Sequence, residues 1–323
     1  PLTDAGGKVV GAVALLRDLT FTADITIDSL KAAKLQTANV RVEASGRDGL
    51  LKLDPLAADL YQGTLAVTGN IDARPEVPQM KLNKKLHNVQ LGPLFVDLTG
   101  KEEVKGQADI IADVMTKGLT QKELTGNSNG TIKLSLADGE IAKLKIIDTI
   151  RTARALLEAG GQKKTAESGQ QDGTGDGSGR PTTFATLSAT GILTDGVIRN
   201  NDLLAQSELM KVEGKGTVNL NTEEIDYLLT IYLARKLDRD EETGAVDLTD
   251  TPIPYRVKGT FGNISQSAAL EEILKSQAKK TLFREIEKQL GGDQEQEEET
   301  GGEKPSGDPK DLLQKGLKGL FGD

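Results

Sequence analysis

The chain has 323 residues, of which 37% are hydrophobic and 3% aromatic, with no Trp, no Cys and a single His. This excludes a disulfide framework and a cysteine-ligated metal, and it leaves few large side chains for a deep core. The formal charge is −9, but residues 291–310 carry seven acidic and two basic side chains; the remainder is near neutral and lacks the basic stripe of a nucleic-acid binder.

The 36 Gly, with many Thr and Asn, point to numerous strands and turns around a shallow apolar face. No run approaches the ~18–20 apolar residues that span a bilayer, and no signal peptide is visible. The chain starts at Pro1 in mid-pattern, so it is expected to be a fragment whose upstream targeting or anchoring segment has been removed.

Residues 1–17 read as a short helix or leftover strand around Val9, Val10, Val13, Leu15 and Leu16. A strand follows, with Leu19, Phe21, Ala23, Ile25 and Ile27 alternating against Thr20, Thr22, Asp24, Thr26 and Asp28. Ala38, Val40 and Val42 then share a face against Asn39, Arg41 and Glu43. Asp48 to Arg74 predicts two antiparallel strands joined through Leu60-Tyr61-Gln62-Gly63, with Leu65, Val67 and Ile71 on one face and Thr64, Thr68 and Asn70 on the other.

After a Pro-containing break at residues 74–78, Met80, Leu82, Leu86, Val89 and Leu91 mark another extended segment. Leu91 to Leu98 predicts a short helix with Pro93 in its first turn and Gly100 as its stop. Strands resume over Val104–Val114 and Gly126–Leu136. Ile146, Ile150, Ala153 and Leu157 fall at helical spacing over 146–159, closed by Gly160-Gly161. Residues 160–181 hold almost no apolar side chain and read as a disordered loop.

Four strands are predicted between Phe184 and Tyr232, a polar excursion over Asp238–Asp250, and a last strand over Ile253–Phe261. Leu270, Ile273, Leu274, Leu282, Ile286 and Leu290 then form the stripe of an amphipathic helix, assigned to 266–290. An acidic flexible linker over 291–310 and a short amphipathic segment over 311–323 close the chain.

An internal repeat runs through this order. The run from Asp195 to Leu220 matches that from Asp48 without a gap: Asp48-Gly49 with Asp195-Gly196, Leu51 with Ile198, Leu56 with Leu203, Leu65 with Val212, Gly69 with Gly216, and Ile71 with Val218. A shorter echo is Asp138-Gly139. We read a β-hairpin unit used more than once.

Catalytic candidates are thin. His87 stands alone and reads as a surface or satisfied strand residue. Asp109 and Asp113 share a strand face with nothing in the sequence to shift their pKa. Gly173-Thr174-Gly175-Asp176-Gly177 lies in the polar loop with neither strand before it nor helix after it, so it is no phosphate motif. No catalytic residue, metal ligand or cofactor site is assigned.

On the residues alone, two arrangements stay open. The helices at 146–159 and 266–290 either cover the whole apolar face of the sheet as an ordinary core, or leave part of it as a groove able to hold apolar chains. The terminal segment, with Leu312, Leu313, Leu317, Leu320 and Phe321, either docks on its own domain or serves at a membrane interface or as a cap to the groove.

Several ordered stretches resemble the AsmA-like proteins: Asp48 to Leu65 (DGLLKLDPLAADLYQGTL), Leu91-Gly92-Pro93-Leu94 with Gly100 and Gly106, Ala108 to Val114, Leu124-Thr125-Gly126 through Asp138-Gly139, Gly214 to Leu220, and Pro254 to Asn263. Together they run over about residues 20–265. The chain departs from the family pattern at Ala142-Lys143-Leu144-Lys145 after the Asp-Gly motif, and at Ile264 where Pro commonly follows Asn.

The resemblance implies a mainly β protein with a few helices: an elongated, curved antiparallel sheet forming an apolar groove over 1–265. It further implies the C-terminal region of a periplasmic protein anchored in the inner membrane of a Gram-negative bacterium. Such proteins serve outer-membrane biogenesis, and their longer relatives pass phospholipid along apolar β-grooves. Strand parity then nominates Phe21, Ile25, Leu65, Val67, Ile71, Val212 and Val218 for the inner face, with phospholipid acyl chains as ligand, outer-membrane components as possible partners and no nucleic acid. The rival reading is an assembly or scaffold factor for outer-membrane proteins that carries no lipid.

Overall fold

The alternating stretches fold into strands, each paired antiparallel with the next in the chain, so that sheet order and chain order coincide from β1 to β13. The structure is a computed structural model that describes residues 17–32, 34–158, 180–235, 248–249 and 251–270. Pro1–Lys275 form one compact unit, which holds the sheet; Ser276–Asp323 form a second, outside the described residues. The strands are β1 (Phe21–Ala32), β2 (Leu35–Arg47), β3 (Leu50–Leu60), β4 (Gly63–Asp72), β5 (Gln79–Gln90), β6 (Val104–Lys117) and β7 (Asn129–Ile141). They continue as β8 (Thr182–Thr194), β9 (Val197–Gln206), β10 (Met210–Asn219), β11 (Glu224–Leu233), β12 (Ile253–Thr260) and β13 (Ile264–Ala268).

The repeat is a structural one. Asp48-Gly49 and Asp195-Gly196 each connect two strands with both residues at positive φ (49° and 75°, 46° and 76°), the backbone of a type I′ hairpin turn. The hairpins β3–β4 and β9–β10 share one register: Leu51 opposes Ile71 as Ile198 opposes Val218, and Leu56 opposes Val67 as Leu203 opposes Gly214. The register irregularity falls at the same step in both, between Leu53 and Leu56 and between Gly214 and Gly216. The echo at Asp138-Gly139 is of another kind. Asp138 has φ 50°, but both residues lie inside β7, where Gly139 opposes Phe184, and they make no turn.

Helix α1 (Leu91–Thr99) starts where expected and ends at Gly100, whose φ of 79° lets its N–H reach the Val96 carbonyl. Two elements differ from the sequence reading. Gly126 closes a short helix, α2 (Gln121–Gly126), and the strand assigned from Gly126 begins at Asn129. Thr120 caps α2: its side chain accepts from the Glu123 N–H while Glu123 reaches back to the Thr120 N–H. Gln266, Ser267 and Ala268, assigned to the amphipathic helix, belong to β13, where they oppose Val257, Arg256 and Tyr255. The remainder of that helix from residue 271, the loop at 160–179, most of the 238–250 excursion, the linker and the terminal segment lie outside the described residues.

Helix α3 (Ile146–Glu158) shows that the sheet curls. The Lys145 N–H donates to Gln266 Oε1 of β13 at 2.9 Å, and the next amide, of Ile146, donates to Thr182 Oγ1 of β8 at 3.1 Å. In a flat sheet strands five positions apart stand about 24 Å from one another, yet two neighbouring amides touch both. The β8–β13 segment therefore rolls up around the start of α3 without pairing β13 to β7. Ile146 and Ile150, both fully buried, fill the roll with Leu136, Phe184, Leu187, Ala205, Met210, Val212, Leu229, Ile231, Ile253 and Tyr255. The Tyr255 hydroxyl meets Gln266 Oε1 at 2.6 Å and Thr149 Oγ1 at 3.2 Å, and burial pushes its pKa up.

Candidate functional site

The cross-strand register joins the alternating apolar positions into one continuous face. Ile25 opposes Val42, Val42 opposes Leu56, Leu56 opposes Val67 and Leu65 opposes Leu86. From there Leu86 opposes Ile110, Ile110 opposes Leu134, Leu136 opposes Leu187 and Leu187 opposes Ala205. Ala205 opposes Val212, which opposes Ile231. Residues opposite one another in antiparallel strands point to the same side, so these side chains line a single surface.

The seven nominated residues all lie on it. Phe21 and Ile25 sit on β1, Leu65, Val67 and Ile71 on β4, and Val212 and Val218 on β10. Their surroundings differ. Val212 is 1% exposed and packed in the core around Ile146 and Ile150, so it belongs to the filled roll and presents no open surface. Leu65, Val67, Ile71 and Val218 are half-buried, as are Leu51, Leu53, Leu56, Leu82 and Leu86. Ile25, on the edge strand, is 48% exposed. Among the described residues no helix packs over the middle of β1–β5 as α3 does over β7–β13. Leu312, Leu313, Leu317, Leu320 and Phe321 lie outside the described residues.

Helix α1 closes one end of the trough. It follows β5 directly and touches both β6 and β2, so it runs across the strand ends rather than along them. The Tyr61 hydroxyl, in the β3–β4 turn, donates to Asp97 Oδ2 at 2.6 Å, and Lys34 Nζ donates to the Leu98 carbonyl at 3.3 Å. Burial first, and then Asp97, raises the pKa of Tyr61. Leu94 and Phe95 turn toward the core, and Val40, Ala58, Leu60 and Val89 are buried at this end. The opposite end is bounded by the tight turns at 48–49 and 195–196 and by the α2 connection.

The polar face carries the titratable groups. His87 is exposed on β5 with Nδ1 2.6 Å from Asp109 Oδ1. Asp109 also accepts the Asn88 N–H at 3.0 Å. That amide, followed by His87, holds its carboxyl below the usual range, a shift that the sequence reading did not anticipate. Asp113 accepts from Asn83 on the same face. Among the described residues no three His, Asp or Glu side chains converge as a metal site, and no helix is long and apolar enough to cross a membrane.

The AsmA family model matches residues 8–203. The chain belongs to the AsmA family. It is also 26% identical over 267 residues to Protein AsmA of Escherichia coli K12, an alignment that takes in 79% of this chain and 40% of that protein. The chain thus spans well under half the length of the curated relative it matches. No solved structure matches. The family match begins before β1 and ends within β9, so it takes in the open part of the apolar face and the first strands of the roll.

Proposed function

We propose that the open part of the apolar face, over β1–β6, holds the acyl chains of phospholipids. The protein then contributes to phospholipid passage between the inner and outer membranes, and so to outer-membrane biogenesis. One observation carries the reading: a single register-continuous apolar face is filled by α3 over β7–β13 but stays half exposed over β3–β5 among the described residues. Contiguous apolar surface of this extent is rare on a protein unless something binds it. Membership of the AsmA family supports the same reading, with the working place in the periplasm and an inner-membrane anchor in the part of longer relatives that this chain does not span.

The chemistry required is modest. Acyl chains need burial, at about 25 cal/mol per Å² of apolar surface removed from water, and no bond is made or broken. Lipid supply or a partner protein would give the movement its direction.

The test is to purify residues 1–323 without detergent and analyse an organic extract by mass spectrometry. The expected result is a roughly stoichiometric phospholipid signal that falls sharply in Leu65→Asp. It should persist in Thr64→Asp, since Thr64 points to the polar face opposite His87. A well-folded, lipid-free protein overturns the proposal and favours a scaffold role; equal loss in the two variants overturns the assignment of the face.

A further inference from the structure

The apolar face is interrupted at one place. Over β2–β7 the paired positions on that side carry Gly, Ala, Val, Ile, Leu and Met, with uncharged Gln36 and Thr116 at strand ends. The one charged side chain among them is Lys84. It opposes Val67 on β4 and Ala112 on β6, with Leu82 and Leu86 two residues away along β5. Its place is the middle of the strand, so its ammonium cannot reach water by bending round a strand end.

Lys84 is exposed, and among the described residues it has no carboxylate or carbonyl partner. Its methylene stem can lie along Val67 and Ala112 while the ammonium stands above the apolar surface. A purely apolar occupant lying over this point would desolvate an unpaired cation, which is strongly unfavourable. Whatever covers the trough here must bring both apolar surface and an anion to the same spot. An amphiphile with acyl chains and a phosphate does so.

We propose that Lys84 is a phosphate-binding residue inside the trough. Its ammonium donates to the phosphate of a phospholipid whose chains lie on Leu65, Leu82 and Leu86, and it fixes a position at which each lipid pauses. This rests on the acyl-chain reading above and adds to it a preference for a phosphate-bearing head.

The test compares two fluorescent lipids with identical chains, dioleoyl phosphatidylglycerol and dioleoylglycerol, binding to the full 323-residue chain. Wild type should prefer the phosphate-bearing lipid by about five-fold, the scale of one charge-assisted hydrogen bond partly open to water. Lys84→Met should bring the ratio to near parity by weakening phosphatidylglycerol alone, while Lys84→Arg keeps the preference. Glycerol phosphate, which has the anion without chains, should not compete. A preference that survives Lys84→Met overturns the Lys84 assignment and leaves the acyl-chain reading standing. Competition by glycerol phosphate as effective as that by the lipid shows a free-phosphate site and also overturns it. Failure of both lipids to bind overturns the two readings together.

Discussion

Lys84 and Leu82 are two residues apart on one strand face, yet a sequence reading treats them oppositely. The alternation Met80, Leu82, Leu86 announces the strand, and a lysine at the missing beat reads as noise, because period-two patterns tolerate a polar residue without changing the assignment. Its meaning comes from what surrounds it, and register alone supplies that. Asp202 makes the same point on acid chemistry. It accepts the Thr190 N–H at 2.7 Å and the Asn200 amide at 2.6 Å, beside the register irregularity between Ser188 and Gly191. The Thr190 amide is the main cause of its lowered pKa. A depressed carboxyl adds stability that is complete above its unfolded pKa near ~4 and is lost as pH falls through the folded value. Asp202→Asn should therefore lower Tm at neutral pH and flatten its fall below about pH 4, so that the two curves converge in acid, as thermal melts across that range will show. Gly63 is fixed by space. A Cβ there would lie 2.3 Å from the His87 carbonyl oxygen and 2.7 Å from the backbone at Asn88, neither of which can swing aside. Gly63→Ala should cost about 1–3 kcal/mol of unfolding free energy, measured by urea titration.

At the level of elements, twelve of the thirteen strands and two of the helices are legible in the sequence because period and punctuation agree. Pro93 and Gly100 bracket α1, and Asp48-Gly49 and Asp195-Gly196 need the left-handed backbone that a two-residue hairpin turn provides. Helix α2 was missed although its signal was present: Thr120 and Glu123 have the spacing of a capping box. Its six residues carry no apolar stripe, so periodicity passed over them. Thr120→Ala should lower stability by about 1 kcal/mol, detectable as a shifted urea midpoint. β13 was misread for the converse reason. Ser267 and Ala268 adjoin a strong helical stripe, but pairing with Tyr255 and Arg256 claims them for the sheet. The two parts of the apolar face should also respond differently to truncation. Ile150→Ala opens a cavity in the filled roll and should cost about 2–4 kcal/mol. Leu65→Ala removes a half-exposed side chain and should cost clearly less in the same denaturation assay.

For the whole sheet, the consequential property is that, among the described residues, one face is filled over part of its width and half exposed over the rest. A ligand that binds the folded chain and not the unfolded one stabilises it by mass action, by about 2.7 kcal/mol at a hundred times its Kd. Phospholipid should therefore raise the Tm of delipidated protein in a concentration-dependent way, and Leu65→Asp should abolish the shift; an unchanged wild-type Tm at saturating lipid contradicts the acyl-chain reading. Parity in the sequence named seven residues of one face, and the register does place them together. It could not separate Val212, sealed under Ile146 and Ile150, from Val67 and Ile71, because alternation reports which side a residue faces and not what stands above it.

The sequence by itself determined the local terms: which stretches alternate, where the turns need positive φ, that a hairpin unit recurs, and that the chain resembles the AsmA family. Each is written in a few adjacent residues or in the order of such groups. Only the tertiary structure decided that the strands pair in simple succession into one sheet, that β8–β13 roll around the start of α3, and that α1 crosses the strand ends. The roll depends on contacts between residues more than a hundred positions apart, such as Lys145 with Gln266, and the other two on pairings between separate elements that no single stretch contains. Curl is a cumulative property of many strands, and no single strand's pattern encodes it.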